Sequence, residues 1–452
     1  MQNVNKGFGL LFEMGCGKTL TAIAIAGAGY QMGKVERLLI VAPTSVVAVW
    51  PKELQEYAKF KYTCKTLLGE KKQRIKQIDD LLKFPFKALK VAVINYESTW
   101  RPEILEKLKE FDADMVIADE SQRIKTYDAA QSKAMHELGD QARYKLILSG
   151  TPVQTAAIDI WSQYRFLDKT VFGDNFFKFR GRYAIMGGYG NKKIVGYKDL
   201  EGLIKKEHSI AFRVTKDEAL DLPEQTFETR KIQFNQKEKN LYERIKKDSY
   251  AELDGGGHIT ATTVLTRLLR LQQLAGGFLV QDDAQKPQLV SRAKLDALAD
   301  IIEDYVIGSE KKLVIFARFI AEVKAIMELA GKVLPKELKQ VAIYGDIKKE
   351  DRGDIVKQFQ EDPNTVLFIG QIDTAGTGIT LTAADTCVYY SKNFNYATYS
   401  QSLSRIHRIG QRNCCTYIDL EIEGTIDELI SKALSRKEDM AKTVVDNWRD
   451  FF

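Results

Sequence analysis

The chain has 452 residues, too many for one core, and its 44% hydrophobic content is enough to bury two or three. A net charge of +6, from 67 Lys and Arg against 61 Asp and Glu, tolerates a polyanionic partner without demanding one. Five cysteines without a C-x-x-C pair and only four histidines support neither a zinc site nor a disulfide framework, which fits a reducing cytoplasm. The most apolar run, Leu38 to Trp50, is broken by Pro43, Thr44 and Ser45 and is too short to span a bilayer. The polar stretch Met1 to Lys6 does not read as a secretory signal, so a protein of the cytoplasm, or of the nucleus in a eukaryote, is expected.

In chain order, Phe8 to Phe12 reads as a strand, Glu13 to Thr19 as a glycine loop and Leu20 to Ala28 as the start of a buried helix. Such a loop turns backbone N–H groups of Gly15, Cys16 and Gly17 toward a phosphate, with Lys18 adding a point charge and the Thr19 hydroxyl available to Mg2+. The full G-x-x-x-x-G-K-[ST] pattern is not met, because Phe12 stands at its first glycine. Leu38 to Ala42, Val91 to Ile94, Met115 to Ala118 and Lys145 to Leu148 are further strands, and the alternation with helical patterns predicts a doubly wound parallel sheet. The fourth strand delivers Asp119 and Glu120 at its carboxyl end, where the ligand crevice of such a sheet lies. One carboxylate there can hold a metal while its neighbour deprotonates the attacking water.

From Asp168 to about Ala293 the strand alternation fails. Between Phe176 and Lys206, aromatics alternate with many Lys and Arg against only Asp199 and Glu201. The aromatics are expected to pack on the first sheet with the bases solvated, although the same pattern can track a nucleic-acid backbone. A helical, charged stretch from Gln236 is interrupted by Gly255, Gly256 and Gly257, and Leu265, Leu268, Leu269 and Leu271 then recur near helical spacing.

A second α/β alternation begins at Lys311 to Ala317 and continues through Val341 to Tyr344, Val366 to Ile369, Cys387 to Tyr390 and Thr416 to Leu420. It has no lysine-glycine loop of its own and is expected to present groups to the nucleotide of the first. In the stretch from Gly376 to Gln411, Gln401, Arg405 and Arg408 stand at i, i+4 and i+7, a spacing that on one helical face would aim an amide and two guanidiniums at an anion. From Ile426 to Phe452 a helical brace is expected, carrying Leu429, Ile430, Ala433 and Leu434 and later Trp448, Phe451 and Phe452.

The strings EMGCGKT, APTSVVAVWPKE, NYES, DESQRIKT, LSGTPVQ, VIFARF, IGQIDTAGTGITLTAADT and QSLSRIHRIGQ occur in that order. Together they resemble the Swi/Snf family of superfamily II helicase-like ATPases over nearly the whole chain. The resemblance implies an α/β fold with two RecA-like parallel-sheet lobes in tandem and a helical insertion between them. Residues 1–167 would form the first lobe, 168–293 the insertion and connector, 294–424 the second lobe and 425–452 the brace. It implies ATP and Mg2+ as ligands: Gly15 to Thr19 on phosphate, Thr19 and Asp119 on the metal, Glu120 activating water, and Gln401, Arg405 and Arg408 acting from the second lobe. By the same resemblance, Ser45, Lys125, Thr151, Thr374 and Gly376 would fall in motifs that usually face DNA or couple it to the nucleotide.

Three features depart from the family pattern. Gln122 replaces a histidine common among relatives, which puts the link from Glu120 to the DNA-facing motifs in question. Phe12 replaces an acidic residue, and the dozen residues before Gly15 hold no counterpart of the family's adenine-reading segment. The expected activity is ATP hydrolysis coupled to movement along duplex DNA. A strand-separating helicase and a nucleotide-gated DNA scaffold without turnover are the alternatives.

Overall fold

The computed structural model describes residues 7–44, 46–154, 156–188, 190, 193–254, 261–279, 287–348, 350–375 and 379–441. The chain divides into two compact units, one formed by residues up to Leu220 with those from Lys437, the other by Asp221–Arg436.

The first unit carries β1 (Gly7–Phe12), β2 (Arg37–Ala42), β3 (Tyr62–Thr66), β4 (Leu89–Asn95), β5 (Met115–Asp119) and β6 (Tyr144–Leu148), then a hairpin of β7 (Ala184–Gly187) and β8 (Lys193–Tyr197), then β9 (Ala211–Val214). Seven of these form one parallel sheet in the order β3-β4-β2-β5-β6-β1-β9. Its central strands are unbroken apolar runs because both faces are covered. Successive side chains point to opposite faces. Leu39, Val41, Val116 and Ala118 therefore enter one core, while Leu38, Ile40, Met115 and Ile117 enter the other.

The stretch expected as an insertion from residue 168 divides between the units. Phe172, Phe179, Tyr183, Leu203 and Ile204 are buried in the first unit's core, and β9 lies beside β1 in its sheet. Phe176 stacks on Tyr127 with ring centroids 4.0 Å apart, and Arg180 lies over the rings of Phe176 and Phe177. Phe176, Phe179, Tyr183 and Tyr197 of this basic segment thus pack on the first core, Phe177 is exposed, and Tyr189 lies outside the described residues.

The second unit contains β10 (Gln225–Ile232), a short pair β11 (Phe278–Leu279) and β12 (Gln288–Leu289), and β13 (Leu313–Ala317), β14 (Lys339–Ile343), β15 (Thr365–Gln371), β16 (Thr386–Tyr389) and β17 (Cys415–Ile422). Its parallel sheet has the order β10-β17-β16-β13-β15-β14. Here too alternation splits each strand, Val314 and Phe316 to one core and Leu313, Ile315 and Ala317 to the other. The described helices Gln236–Asp254 and Ala261–Ala275 lie on either side of the triple glycine, which is outside the described residues. The helix Ile426–Ala441 seats Ile430 and Leu434 in the second core and leaves Leu429 exposed; Trp448, Phe451 and Phe452 lie outside the described residues. Among the described residues no helix is long and apolar enough to cross a membrane.

Candidate active site

The strand order β5-β6-β1 puts three carboxyl ends side by side. Asp119 and Leu10 are both level with Leu148, so the Ser149 turn emerges between the glycine loop after β1 and the carboxylate pair after β5. Adjacent strands are roughly 5 Å apart, so residues on the outer two lie within reach of a single phosphate chain.

β1 runs on through Phe12, whose buried ring meets Phe212 edge-on; the first position of the loop pattern is therefore still strand. The left-handed backbone falls at Gly15 (φ 93°) and Gly17 (φ 82°), where a side chain would be strained. Gly17 caps the helix Lys18–Gln31, whose N-terminal N–H groups and dipole favour an anion. Lys18 Nζ donates to the carbonyls of Phe12 (2.8 Å) and Glu13 (3.2 Å). Burial lowers its pKa, against the pull of Glu120 and Asp119. Gly150 packs directly on this loop: a Cβ there would stand 3.5 Å from Lys18 Nζ and 3.4 Å from the Phe12 carbonyl oxygen.

Asp119 is buried, and its Oδ2 accepts from Trp50 Nε1 at 2.9 Å. Burial and the adjacent Glu120 push its pKa up to about 7, opposed by the Trp50 N–H and the Lys18 ammonium. The Asp119 carbonyl accepts from Tyr96 Oη at 2.8 Å, which fixes the strand end where the chain turns. Glu120 sits in the left-handed region at φ 51°, an uncommon conformation for a residue other than glycine. Its Oε2 accepts from Gln122 Nε2 at 2.5 Å. Gln122 Oε1 in turn accepts from Ser149 Oγ at 2.7 Å, and Ser149 Oγ accepts from Thr151 N at 3.1 Å. Gln122 therefore bridges Glu120 to the Ser149–Thr151 turn.

The same turn is pinned from beneath. Gln163 accepts from Ser121 Oγ at 2.7 Å and donates to the Pro152 carbonyl at 2.8 Å. Lys125 Nζ donates to Gln154 Oε1 at 2.9 Å, so Lys125 and Thr151 belong to one loop cluster. Ser45 and Gly376 lie outside the described residues. In the second unit Thr374 Oγ1 donates to Gln371 Oε1 at 3.2 Å.

The arginine pair differs from the sequence expectation. The helix Tyr396–Leu403 ends before Arg405, so Gln401, Arg405 and Arg408 do not share a helical face. Leu403 gives its carbonyl to Tyr417 Oη at 2.6 Å, and Gln411 Nε2 binds the carbonyls of Ala384 (2.8 Å) and Ile406 (3.2 Å). These contacts from elsewhere in the unit draw the chain into turns. Both guanidiniums nevertheless converge on the Ile379 carbonyl, Arg405 at 3.1 Å and Arg408 at 3.4 Å. Arg405 is 3% exposed and also donates to the Gln401 carbonyl at 2.9 Å, whereas Arg408 is half-buried.

At the carboxyl edge of the second sheet, Glu322 is fully buried. Its Oε2 accepts from the backbone N–H groups of Arg318 (3.1 Å) and Phe319 (3.0 Å) and from Ser391 Oγ (2.5 Å). Burial raises its pKa to about 7, against those bonds and the nearby Lys294.

Among the described residues no cluster of three or more His, Cys, Asp or Glu is poised to hold a metal. The donors present fit Mg2+, which takes one or two protein oxygens and fills its octahedron with water and phosphate. Trp50, Ser149 and Arg213 were missed as site residues by sequence reasoning. Trp50 and Ser149 lie in quoted strings and Arg213 in none, and what they touch is set by neighbours 69, 27 and 200 positions away.

A SNF2-related domain model matches residues 2–276, and a helicase conserved C-terminal domain model matches residues 293–410. The putative ATP-dependent helicase/translocase YwqA of Bacillus subtilis is 28% identical over 98% of this chain and 47% of its own length. The DNA annealing helicase and endonuclease ZRANB3 of Mus musculus is 27% identical over 97% of this chain and 39% of its own. The chain thus spans less than half of these relatives. Among solved structures, the Sulfolobus solfataricus SWI2/SNF2 ATPase core in complex with dsDNA is similar at 24% identity, covering 98% of this chain and 89% of that one, with a TM-score of 0.42. With the SNF2-related domain matched over more than half of its length and the helicase domain following, the chain belongs to the SNF2-related family of helicase-like ATPases.

Proposed function

We propose that this protein hydrolyses ATP and couples the hydrolysis to movement along double-stranded DNA. The observation that carries the proposal is the convergence of Lys18, Asp119 and Glu120 at one sheet edge, with Gln122 joining Glu120 to the Ser149–Thr151 turn. Family membership and a relative whose printed name includes a translocase support it.

In this reading Lys18 leaves the carbonyls of Phe12 and Glu13 for the phosphates, and the N–H groups from Gly15 to Thr19 surround them. Thr19 and Asp119 would hold Mg2+, which neutralises charge on the phosphate oxygens. Trp50 keeps the Asp119 carboxylate aimed. Glu120 accepts the proton of the attacking water, oriented by Gln122. Arg408, supplied by the second unit, meets the charge that develops on the transferring phosphoryl group, and Arg405 braces the turn that carries it. Lys125, Thr151 and Thr374 contact DNA or relay its binding, and with them we assign Ser45 and Gly376.

The test is ATP turnover with duplex, single-stranded, forked and no DNA, beside displacement of a third strand from a triplex. Duplex-stimulated hydrolysis with triplex displacement is expected. ATP-dependent separation of a blunt duplex would place the protein among the strand-separating helicases, and nucleotide binding without turnover would make it a scaffold. Glu120→Gln should keep ATP binding and lower turnover by roughly 10²- to 10⁴-fold.

A further inference from the structure

We infer that Arg213 is a positioning residue of the nucleotide site, holding the glycine loop and the Ser149–Thr151 turn in one fixed relation around Lys18. The inference rests on the reading of that loop as an ATP site.

Arg213 lies on β9, which pairs with β1 so that Arg213 is level with Leu11 and Val214 with Phe12. The side chain is inside the protein, 4% exposed, whereas the neighbouring Phe212 faces outward at 48%. Its Nη1 donates to the carbonyls of Leu11 (2.9 Å) and Gly150 (3.2 Å), and its Nη2 donates to Glu13 Oε1 (3.0 Å). The other Glu13 oxygen accepts from Lys216 N at 3.0 Å, and Glu13 N donates to the Val214 carbonyl at 2.8 Å. One planar fork therefore joins the end of β1, the first loop residue and the turn after β6.

Two facts separate this from an ordinary fold brace. The backbone ladder already joins β9 to β1, so the guanidinium is not needed for that pairing. The side-chain bonds named above go to residues at the sheet edge that carries the loop, and Gly150, one of those acceptors, lies where an added Cβ would touch Lys18 Nζ at 3.5 Å. A buried guanidinium with its acceptors in place holds them rigidly, because its donors lie in one plane at fixed angles. Displacing a substrate-positioning group by about 1 Å can lower rates 10²-fold. The bond between Glu13 and Arg213 closes a loop of 200 positions, which is why neither residue points to the other in sequence.

The experiment compares wild type with Arg213→Gln, Arg213→Lys, Glu13→Gln and the double variant Glu13→Gln with Arg213→Gln. The readouts are KM for ATP, kcat, the calorimetric ADP affinity with Mg2+, and Tm with and without ADP. Arg213→Gln should raise KM and the ADP Kd at least tenfold, about 1.4 kcal/mol, with kcat falling by less than KM rises. The ADP-induced rise in Tm should shrink along with the affinity. Arg213→Lys should fall between wild type and Gln, since a point charge reaches Glu13 but cannot serve both carbonyls as well. Glu13→Gln should raise KM three- to tenfold, and the double variant should be no worse than Arg213→Gln alone, because either change breaks the same connection.

A lowered Tm with KM within twofold of wild type and an unchanged ADP shift would make Arg213 a plain brace and overturn the inference. Fully additive effects of the two substitutions would do the same. If Arg213→Gln does not fold, Glu13→Gln decides alone, since its carboxylate is partly exposed, and an unchanged KM there refutes the positioning role. A wild type that neither binds ADP nor hydrolyses ATP would remove the nucleotide reading itself, a result distinct from any of these.

Discussion

Replacing Gln122 by Ala removes two hydrogen bonds and nothing charged, so its effect on turnover can be worked from the contacts. The bond from Gln122 Nε2 to Glu120 Oε2, at 2.5 Å, acts on the carboxylate proposed to handle the attacking water. A hydrogen bond to a charged group contributes about 1.5 to 3 kcal/mol. If it is made fully only when Glu120 is aligned for chemistry, its loss lowers kcat by roughly 10- to 150-fold. The second bond, from Ser149 Oγ to Gln122 Oε1 at 2.7 Å, is neutral, and its loss should weaken the response to DNA more than basal hydrolysis. Two companion variants sharpen the case. Gln122→Glu keeps the acceptor for Ser149 but sets a second carboxylate against Glu120, and should be slower than Gln122→Ala at neutral pH. Gln122→His offers one donor and one acceptor nitrogen and should retain over a third of the rate above about pH 7. Below its pKa, about 6.5 for free histidine, it should lose activity as the imidazolium loses its acceptor. The assay is steady-state hydrolysis at saturating ATP, with and without duplex DNA, across pH 6 to 8. A Gln122→Ala enzyme with more than half the wild-type stimulated rate would refute the reasoning, as would a Gln122→Glu enzyme equal to wild type.

Arg408→Ala should lose DNA-stimulated hydrolysis by on the order of 10³- to 10⁵-fold while nucleotide affinity changes less than tenfold, and Arg408→Lys should not rescue it; single-turnover hydrolysis beside a binding titration checks this, and weakened binding with intact turnover would sink it. Arg405 is buried against the carbonyls of Gln401 and Ile379, so Arg405→Ala should lower thermal stability as well as turnover, which a melting curve reads directly. Duplex affinity should fall linearly with salt on a log-log plot because phosphate contacts release counterions; a flat response between 50 and 200 mM, a range of about fourfold, would argue against backbone tracking. Glu322 holds its proton more tightly in the folded protein, at about 7, than the ordinary 4.5, so its contribution is complete below about pH 4.5 and is lost as pH rises through about 7. The full shift corresponds to at most roughly 3 kcal/mol, and Glu322→Gln should flatten the urea-denaturation stability between pH 5 and 8 by some part of that; an unchanged slope would show that the group does not titrate on folding.

Elements whose partners are local, or whose surroundings are uniformly apolar, were legible in the chain itself. RLLIVA in β2, MVIAD in β5 and LVIFA in β13 are apolar because both of their faces are covered, and any residue there meets the same environment. The glycine loop and the strand-end position of the Asp119–Glu120 pair were legible for a related reason: both are set within a few residues of chain. Three of the four edge strands were not, β14 being the exception. β3 (YTCKT), β9 (AFRV) and β10 (QTFETRKI) are short or polar, and they are strands because a neighbouring edge supplies hydrogen bonds, a condition absent from their own composition. The end of the helix at Leu403 likewise depends on Tyr417 and Gln411, so a periodicity that continues through Arg408 does not continue as a helix. The bonds that join the site (Trp50 to Asp119, Gln122 to Ser149, Arg213 to Glu13) are contacts between segments distant in sequence. The strand order β2-β5-β6-β1-β9 sets them side by side, and that order is a property of the packed sheet alone.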